Sequence, residues 1–380
     1  MLFTTLATWL WLAAWRRGFG WWIGYAVVAA FGAWVHITMI FVVAAHGLLY
    51  LVWLVFPKLF GESRHLEGKQ RWYPILAWAL CGTLTLQVYA LALPEFLRIG
   101  IHEVSAASEW VSLWWLVTES LRSFRVGFSG VVVLLAGGVI VGIGALGLFK
   151  RDLMAGLSMI LPPVLAGVTT LLWSHNFWPR LFFFAMGFGL LIAVNGALTV
   201  PRLLRWFVPA ERVSDRWLTN AGLTLAVLMI VASTLTVPRC YALPKQNYTG
   251  ARDFVERNRH SGDAVVAVGL AGVAYSKYFA AQWPMWKEAQ TQSELDAVRK
   301  GHSEVWLVYT IPIQVKAYRP EIWRAIESDF EVVKVFPGTL GGGEVFVCRQ
   351  KMGNIRIPAG SITQHKGSKD QRDKESEKKE

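Results

Sequence analysis

Residues 128–149 read FSGVVVLLAGGVIVGIGALGLF, followed by Lys150-Arg151-Asp152 and then by LMAGLSMILPPVLAGVTTLL at 153–172. Neither apolar run contains a charged side chain. A helix needs roughly 20 such residues to cross the hydrocarbon of a bilayer, so the two runs with their short basic break predict a membrane hairpin. Outward from it the pattern recurs, at about 2–15, 20–36, 38–57 and 73–92 on one side and at about 181–200 and 217–236 on the other. Eight spans are expected, the shorter ones packed inside a bundle. The balance of 54% apolar against 17% charged residues agrees, since a soluble domain carries about 25% charged residues. It excludes a disordered chain, a disulfide-built module and a simple cytosolic enzyme. The fold class is a polytopic α-helical membrane protein followed by a small soluble α/β domain.

The sixteen basic residues of 1–236 divide unequally between the two sets of loops. Arg16, Arg17, Lys58, Arg64, Lys69, Arg71, Lys150, Arg151, Arg202, Arg205, Arg212 and Arg216 fall on one side. Arg98, Arg122, Arg125 and Arg180 fall on the other. The positive-inside rule places the first set in the cytoplasm. Loops 93–127 and 173–180, and everything after about 237, then face outward from an inner (plasma) membrane. The net charge of +12 thus sits mostly beside the bilayer, where membrane lipids are the partner. No basic stripe with interleaved aromatics marks a nucleic-acid surface. With this parity Met1 starts at the outer face, which predicts that the chain is the later part of something longer, or that the first span is re-entrant.

The outer loop 93–127 contains Glu109-Trp110-Val111-Ser112-Leu113-Trp114-Trp115-Leu116-Val117. Trp110, Trp114 and Val117 at i, i+4 and i+7 predict one face of a helix lying along the bilayer surface, as an anchor or as the wall of an entry groove. Glu103, Glu109, Glu119 and Arg122 are expected near water. The shorter loop, Trp173-Ser174-His175-Asn176-Phe177-Trp178-Pro179-Arg180, precedes a strongly apolar span. An Arg there can simply snorkel, or its planar fork can bind a phosphate bidentately. His36 ends the second span. His36, His175 and Arg180, at the ends of three spans, are the candidate substrate-binding residues. His46 lies inside a span and is expected to face the interior, bonded to a backbone carbonyl.

After Pro238 the composition changes. A helix is expected at 250–260 with Ala251, Phe254 and Val255 on one face, a strand at 264–268, a helix at 292–300 and a strand at 304–310. Pro320 opens a helix over 321–329, and strands at 331–336 and 344–349 close an α/β domain over 237–350. Gly269-Leu270-Ala271-Gly272 lacks the spacing of a dinucleotide-binding loop. No metal-ligand cluster and no cofactor site is legible. Cys240 and Cys348 are either bridged across the domain's ends or, more simply, free. Asn247-Tyr248-Thr249 matches a glycosylation sequon, an acceptor only in a eukaryotic secretory pathway, and a chance match is the simpler reading. Residues 351–380 form a charged tail without apolar content, expected to be disordered.

Together, Val35-His36 before a span, the Trp-rich surface loop, Pro179-Arg180 opening a span, and a final span leading into Tyr248-x-x-Ala-x-x-Phe-Val-Glu-x-Asn-Arg-x-x-Gly-Asp-Ala-Val-Val make a pattern. It resembles the later two-thirds of bacterial GT-C glycosyltransferases of the protein-mannosyltransferase and aminoarabinose-transferase-like group, over nearly all of residues 1–350. The resemblance implies an enzyme that moves a sugar from a polyprenyl-phosphate carrier to a lipid, glycan or protein acceptor on the outer face. It implies that Arg180 binds the carrier phosphate with His175 and His36 beside it. The acidic catalytic residue that the group keeps in its first outer loop has no counterpart here, so the catalytic residue is not identified. The chemistry requires a carboxylate to take the acceptor proton and a cation to hold the departing phosphate; Glu95, Glu103, Glu109 and Glu119 are the outer carboxylates. A non-catalytic subunit that binds the carrier or a catalytic partner is the alternative. A transporter ranks below both, because the two halves of the chain do not repeat.

Overall fold

Each of the eight apolar segments forms a helix within its described residues. The structure, a computed structural model, describes residues 1–61, 66–95, 98, 110, 112–127, 131–174, 176–177, 179–208, 213–279, 281, 283, 286–339 and 342–351. It divides into two compact units, Met1–Pro244 and Lys245–Glu380. The expected tail at 352–380 lies outside the described residues.

In the first unit, α1 (Leu2–Arg17), α2 (Phe19–Val35), α3 (Met39–Val55) and α4 (Tyr73–Tyr89) come first, with short 3-10 turns at Pro57–Phe60 and Gly68–Trp72. Helix α5 (Leu113–Gly127) follows, then α6 (Val131–Arg151) and α7 (Leu153–Leu172). A 3-10 segment, Pro179–Ala185, leads into α8 (Met186–Thr199), and a second one, Val200–Trp206, follows it; α9 (Asp215–Ala242) closes the unit. Among the described residues, four stretches are long and apolar enough to cross a membrane: Leu134–Arg151, Leu153–Leu172, Arg180–Arg205 and Asp215–Ala242. That is the mark of a membrane protein. Helices α2 and α3 are apolar but have 17 residues each. At 1.5 Å per residue they fall short of a hydrocarbon core about 30 Å thick. The count of eight crossings is therefore not given by length and apolarity alone.

The short helices bury their bulk against one another. Ala7, Trp11, Ala14 and Trp15 of α1, Trp22, Tyr25 and Ala29 of α2, Val42, Leu49, Tyr50 and Trp53 of α3, and Met154 and Ala166 of α7 share one core. The alanines let helix axes approach while the indoles fill the space between them. Rings meet edge to face, as in Trp15–Trp53 with centroids 5.0 Å apart and Trp11–Trp15 at 5.8 Å, the arrangement the ring quadrupole favours. Gly18, at φ +94°, makes the tight passage from α1 to α2, a backbone conformation open mainly to glycine. Helices α6 and α8 cross on glycines: a Cβ at Gly144 would lie 2.0 Å from the Ile192 carbonyl oxygen, and one at Gly196 1.9 Å from that of Ile140. The Asn195 side-chain amide donates to the Gly144 carbonyl at 2.7 Å across this crossing. Helix α9 continues through Pro238 to Ala242, beyond the end expected from its apolar run.

The second unit is a five-stranded mixed sheet between two layers of helices. Its elements are α10 (Tyr248–Asn258), β1 (Ala264–Val268), α11 (Leu270–Tyr278), β2 (Trp286–Ala289), α12 (Gln292–Lys300), β3 (Val305–Thr310), α13 (Pro312–Tyr318), α14 (Pro320–Asp329), β4 (Phe330–Phe336) and β5 (Val345–Gln350). The strand order is β2-β1-β3-β5-β4, with β1 parallel to β2 and β3, and β5 antiparallel to β3 and β4. Every residue of β1 and β3 is buried, which is why both read as unbroken apolar runs rather than alternating ones. Val266, Leu307 and Cys348 face Leu295, Ile322 and Ile326. Val265, Trp306 and Val347 face Ala251, Val255 and Tyr275. Helix α12 begins at a reciprocal capping box between Thr291 and Glu294, which satisfies two of the donors a helix start leaves open. Helices α11 and α13 and the short edge strand β2 are additions to the sequence reading, too brief and weakly periodic to be read from it.

Candidate functional site

The segments 33–41, 110–127 and 173–185 meet at one end of the first unit. The Tyr89 hydroxyl donates to the Ala33 carbonyl at 2.8 Å, fixing the end of α4 to the end of α2. The Thr4 hydroxyl donates to the Phe184 carbonyl at 2.9 Å, and Phe184 stacks on Phe41 at a centroid distance of 6.2 Å. The Phe177 N–H donates to the Trp110 carbonyl at 2.8 Å, tying the segment before α5 to the segment before 179–185. The end formed this way is the one that the distribution of basic residues assigns to the outer face.

His36 caps α2 there, exposed, with its Nδ1 bonded to the Thr38 hydroxyl at 2.7 Å. Arg180 is exposed in the 3-10 segment 179–185. His175 lies outside the described residues, so two of the three sequence-derived candidates are placed, both at this end. The five donors of an arginine such as Arg180 suit phosphate oxygens.

Helix α5 corrects the reading of the Trp-rich loop. It begins at Leu113, so Trp110 precedes it, and Trp110 is buried while Trp114 and Val117 are exposed. The apolar outer face consists instead of Leu113, Trp114, Val117 and Leu121. The backbone bond from Phe177 draws Trp110 inward and takes it off that face. Glu119, expected near water, is only 8% exposed. Helix α5 packs against both α9 and the 179–185 segment that carries Arg180. Burial pushes the Glu119 carboxyl above the usual carboxylate range, opposed by the Arg122 guanidinium. Glu95 is a surface residue paired with Arg98 at 2.7 Å. Glu103 and Glu109 lie outside the described residues.

His46 is fully buried, as expected of an ionisable group within the bundle. Its partners are side chains rather than a backbone carbonyl: Thr8 Oγ1 at 3.3 Å and Tyr25 OH at 3.2 Å, with the Trp78 indole N–H also donating to Tyr25 at 3.1 Å. Trp11 stacks flat on the imidazole with centroids 4.3 Å apart. In an α-helix every backbone carbonyl near His46 is already engaged, so side chains on facing helices complete the ring. Both ring nitrogens are occupied, and the group ties α1, α2, α3 and α4 together.

In the second unit the structure assembles a set that spacing in sequence does not reveal. His260, Asp263 and Glu304 present ligand atoms within 4.8 Å of one another, beside a cavity of about 300 Å³ also lined by Ser303 and Arg349. The donor types would suit a divalent cation, but they are already engaged. Asp263 accepts from the His260 N–H at 2.8 Å, the Trp306 indole at 3.2 Å and the Ser303 hydroxyl at 3.3 Å. Glu304 accepts a two-pronged bond from Arg349. Burial raises the Asp263 carboxyl, yet those donors and the nearby imidazole together hold it below its ordinary value. The set closes the amino ends of β1 and β3 as a network of ion pairs and hydrogen bonds. Cys81, Cys240 and Cys348 are free, and burial pushes the Cys348 thiol up to about 12, which makes it inert. Comparisons with known protein families, with curated proteins and with solved structures find no match to this chain.

Proposed function

We propose that this chain is a multi-pass membrane glycosyltransferase of the GT-C kind, or its C-terminal part. It takes a sugar from a polyprenyl-phosphate carrier and passes it to a lipid, glycan or protein acceptor on the outer face of the inner membrane. In this reading the eight apolar helices, all those of the first unit except α5, cross or enter the bilayer, and the α/β domain is extracytoplasmic. The observation that carries it is the gathering of Arg180, His36 and the α5 segment at one end of the bundle, the end poorest in basic loops.

Sugar transfer from a lipid phosphate leaves negative charge on the departing phosphate. A guanidinium held at those oxygens would lower the barrier without reorganising solvent. Arg180 takes that role, and His36, held by Thr38, adds a polar contact at the rim. The aromatic and aliphatic outer face of α5 lies against lipid, where a polyprenyl tail arrives.

The test is Arg180→Ala in protein reconstituted into vesicles with undecaprenyl-phosphate-linked sugars. Transfer should fall by about 10²-fold or more, the size of a lost oxyanion contact, with membrane insertion intact. Arg180→Lys should recover only part of it, since a point charge lacks the planar fork. Full transfer by Arg180→Ala removes this residue from the mechanism. Carrier binding without transfer by the wild type would favour the non-catalytic subunit.

A further inference from the structure

We infer that the corner where α1 passes into α2 beside the start of α4 holds an acidic phospholipid, its phosphate taken by Arg17 and Arg71; the inference stands independently of the sugar-transfer reading. Arg16 and Arg17 end α1, and Lys69 and Arg71 lie just before α4. Two contacts bring these distant pairs to one corner. The Tyr50 hydroxyl donates to the Arg71 carbonyl at 2.5 Å, while its ring lies 6.4 Å from that of Trp15, the residue before Arg16. The Phe19 ring, two residues past Arg17, meets that of Tyr73, two past Arg71, with centroids 4.9 Å apart. Helices α2 and α4 then run side by side in the same direction, since Tyr89 bonds the Ala33 carbonyl at their far ends.

All four basic side chains are exposed. The stretches 16–21 and 66–73 hold these four cations against one acid, Glu67, and Glu67 caps the turn Gly68–Trp72. Like charges gathered this way repel one another, and an anion shared between them turns the repulsion into attraction. The Arg17 guanidinium lies 4.5 Å over the Trp21 ring, which holds it in place without neutralising its charge. Beyond this band the surface changes in the order that a phospholipid does. Phe19 and Trp72, 44% and 63% exposed, are aromatics of the kind that sit at headgroup level. Ile23 and Leu76, four residues farther on, are exposed aliphatic positions on the same faces, where an acyl chain lies. A soluble polyanion would use the cations but not that apolar flank. A basic corner between helices with this layering takes an acidic headgroup.

The test offers the full chain, purified in detergent, equal amounts of phosphatidylglycerol and phosphatidylcholine, and native mass spectrometry counts the lipid retained. Phosphatidylglycerol should be kept in preference to phosphatidylcholine. Arg17→Gln with Arg71→Gln should weaken that retention by about 30-fold for the two lost cations. Lys150→Gln with Arg151→Gln removes the same charge from the turn between α6 and α7 and should leave it unchanged. Circular dichroism checks the folding of each variant, and Arg16→Gln with Lys69→Gln, which should also weaken retention, serves if the first pair unfolds. Equal retention of the two lipids by the wild type overturns the inference. Equal loss in the Arg17/Arg71 and Lys150/Arg151 variants overturns it too, because the attraction is then a diffuse property of the basic loops. Displacement of phosphatidylglycerol by heparin, which has no acyl chain, would assign the corner to a soluble acidic partner instead.

Discussion

Gly196→Ala is expected to destabilise the helical bundle by about 3 kcal/mol, at the upper end of the overpacking range. The added methyl would lie 1.9 Å from the Ile140 carbonyl oxygen and 2.8 Å from its carbon. Both are backbone atoms of α6, so no rotamer change relieves the contact, and the two helices must separate. Separation also breaks the bond from Asn195 to the Gly144 carbonyl, leaving an amide unpaired where water is scarce. Gly196→Leu should prevent the crossing altogether. Gly138→Ala in α6 is the control: a Cβ there would meet no atom of another element within 4 Å, and alanine is the better helix former by roughly 0.5–1 kcal/mol. Thermal unfolding of the three variants in one detergent checks the order. An unchanged midpoint in Gly196→Ala would mean that α6 and α8 stand farther apart than described.

Asp263→Ala should cost the α/β domain about 3 kcal/mol, since it leaves the buried Trp306 indole N–H and the His260 N–H without their charged acceptor. Asp263→Asn should cost less, because its carbonyl oxygen keeps one of those bonds. The pH dependence follows from the depressed carboxyl. A carboxyl whose folded value lies below its unfolded value stabilises fully above the unfolded value, about 3.9. That contribution is lost as pH falls through the folded value. Glu256, held down by the Arg259 pair despite partial burial, acts in the same direction. Stability should therefore be flat from neutral pH to about 4 on the Asp scale and decline below it, less steeply in Asp263→Asn. Hydrogen exchange of the 264–268 and 305–310 amides in the full chain reads this directly. Equal acid sensitivity in Asp263→Asn and the wild type would remove Asp263 from the effect.

The sequence by itself determined the elements whose periodicity or composition is strong. Uncharged runs such as 128–149 can only be buried or lipid-facing, so the helices α6, α7, α8 and α9 follow from composition. Ala264–Val268, apolar without alternation, read as a buried strand, and 304–310 as a strand. Pro320 marked a helix start through its fixed φ. Arg180 and His36 could be singled out as polar residues at the ends of apolar spans, since charge beside a span is conspicuous.

Tertiary structure decided what depends on partners distant in sequence. Trp110 left the predicted face because its carbonyl is bound by Phe177. Glu119 went inward because α5 rotates to put Trp114 and Leu121 outside, a choice that the helical repeat alone leaves open. His46 found Thr8 and Tyr25 because its own helix carbonyls were already bonded. Asp263 and Glu304 became neighbours because β1 and β3 pair in parallel, bringing together residues 41 positions apart. Periodicity tells which side of a helix or strand is apolar. Only the packing of one element on another fixes which polar group is taken out of water.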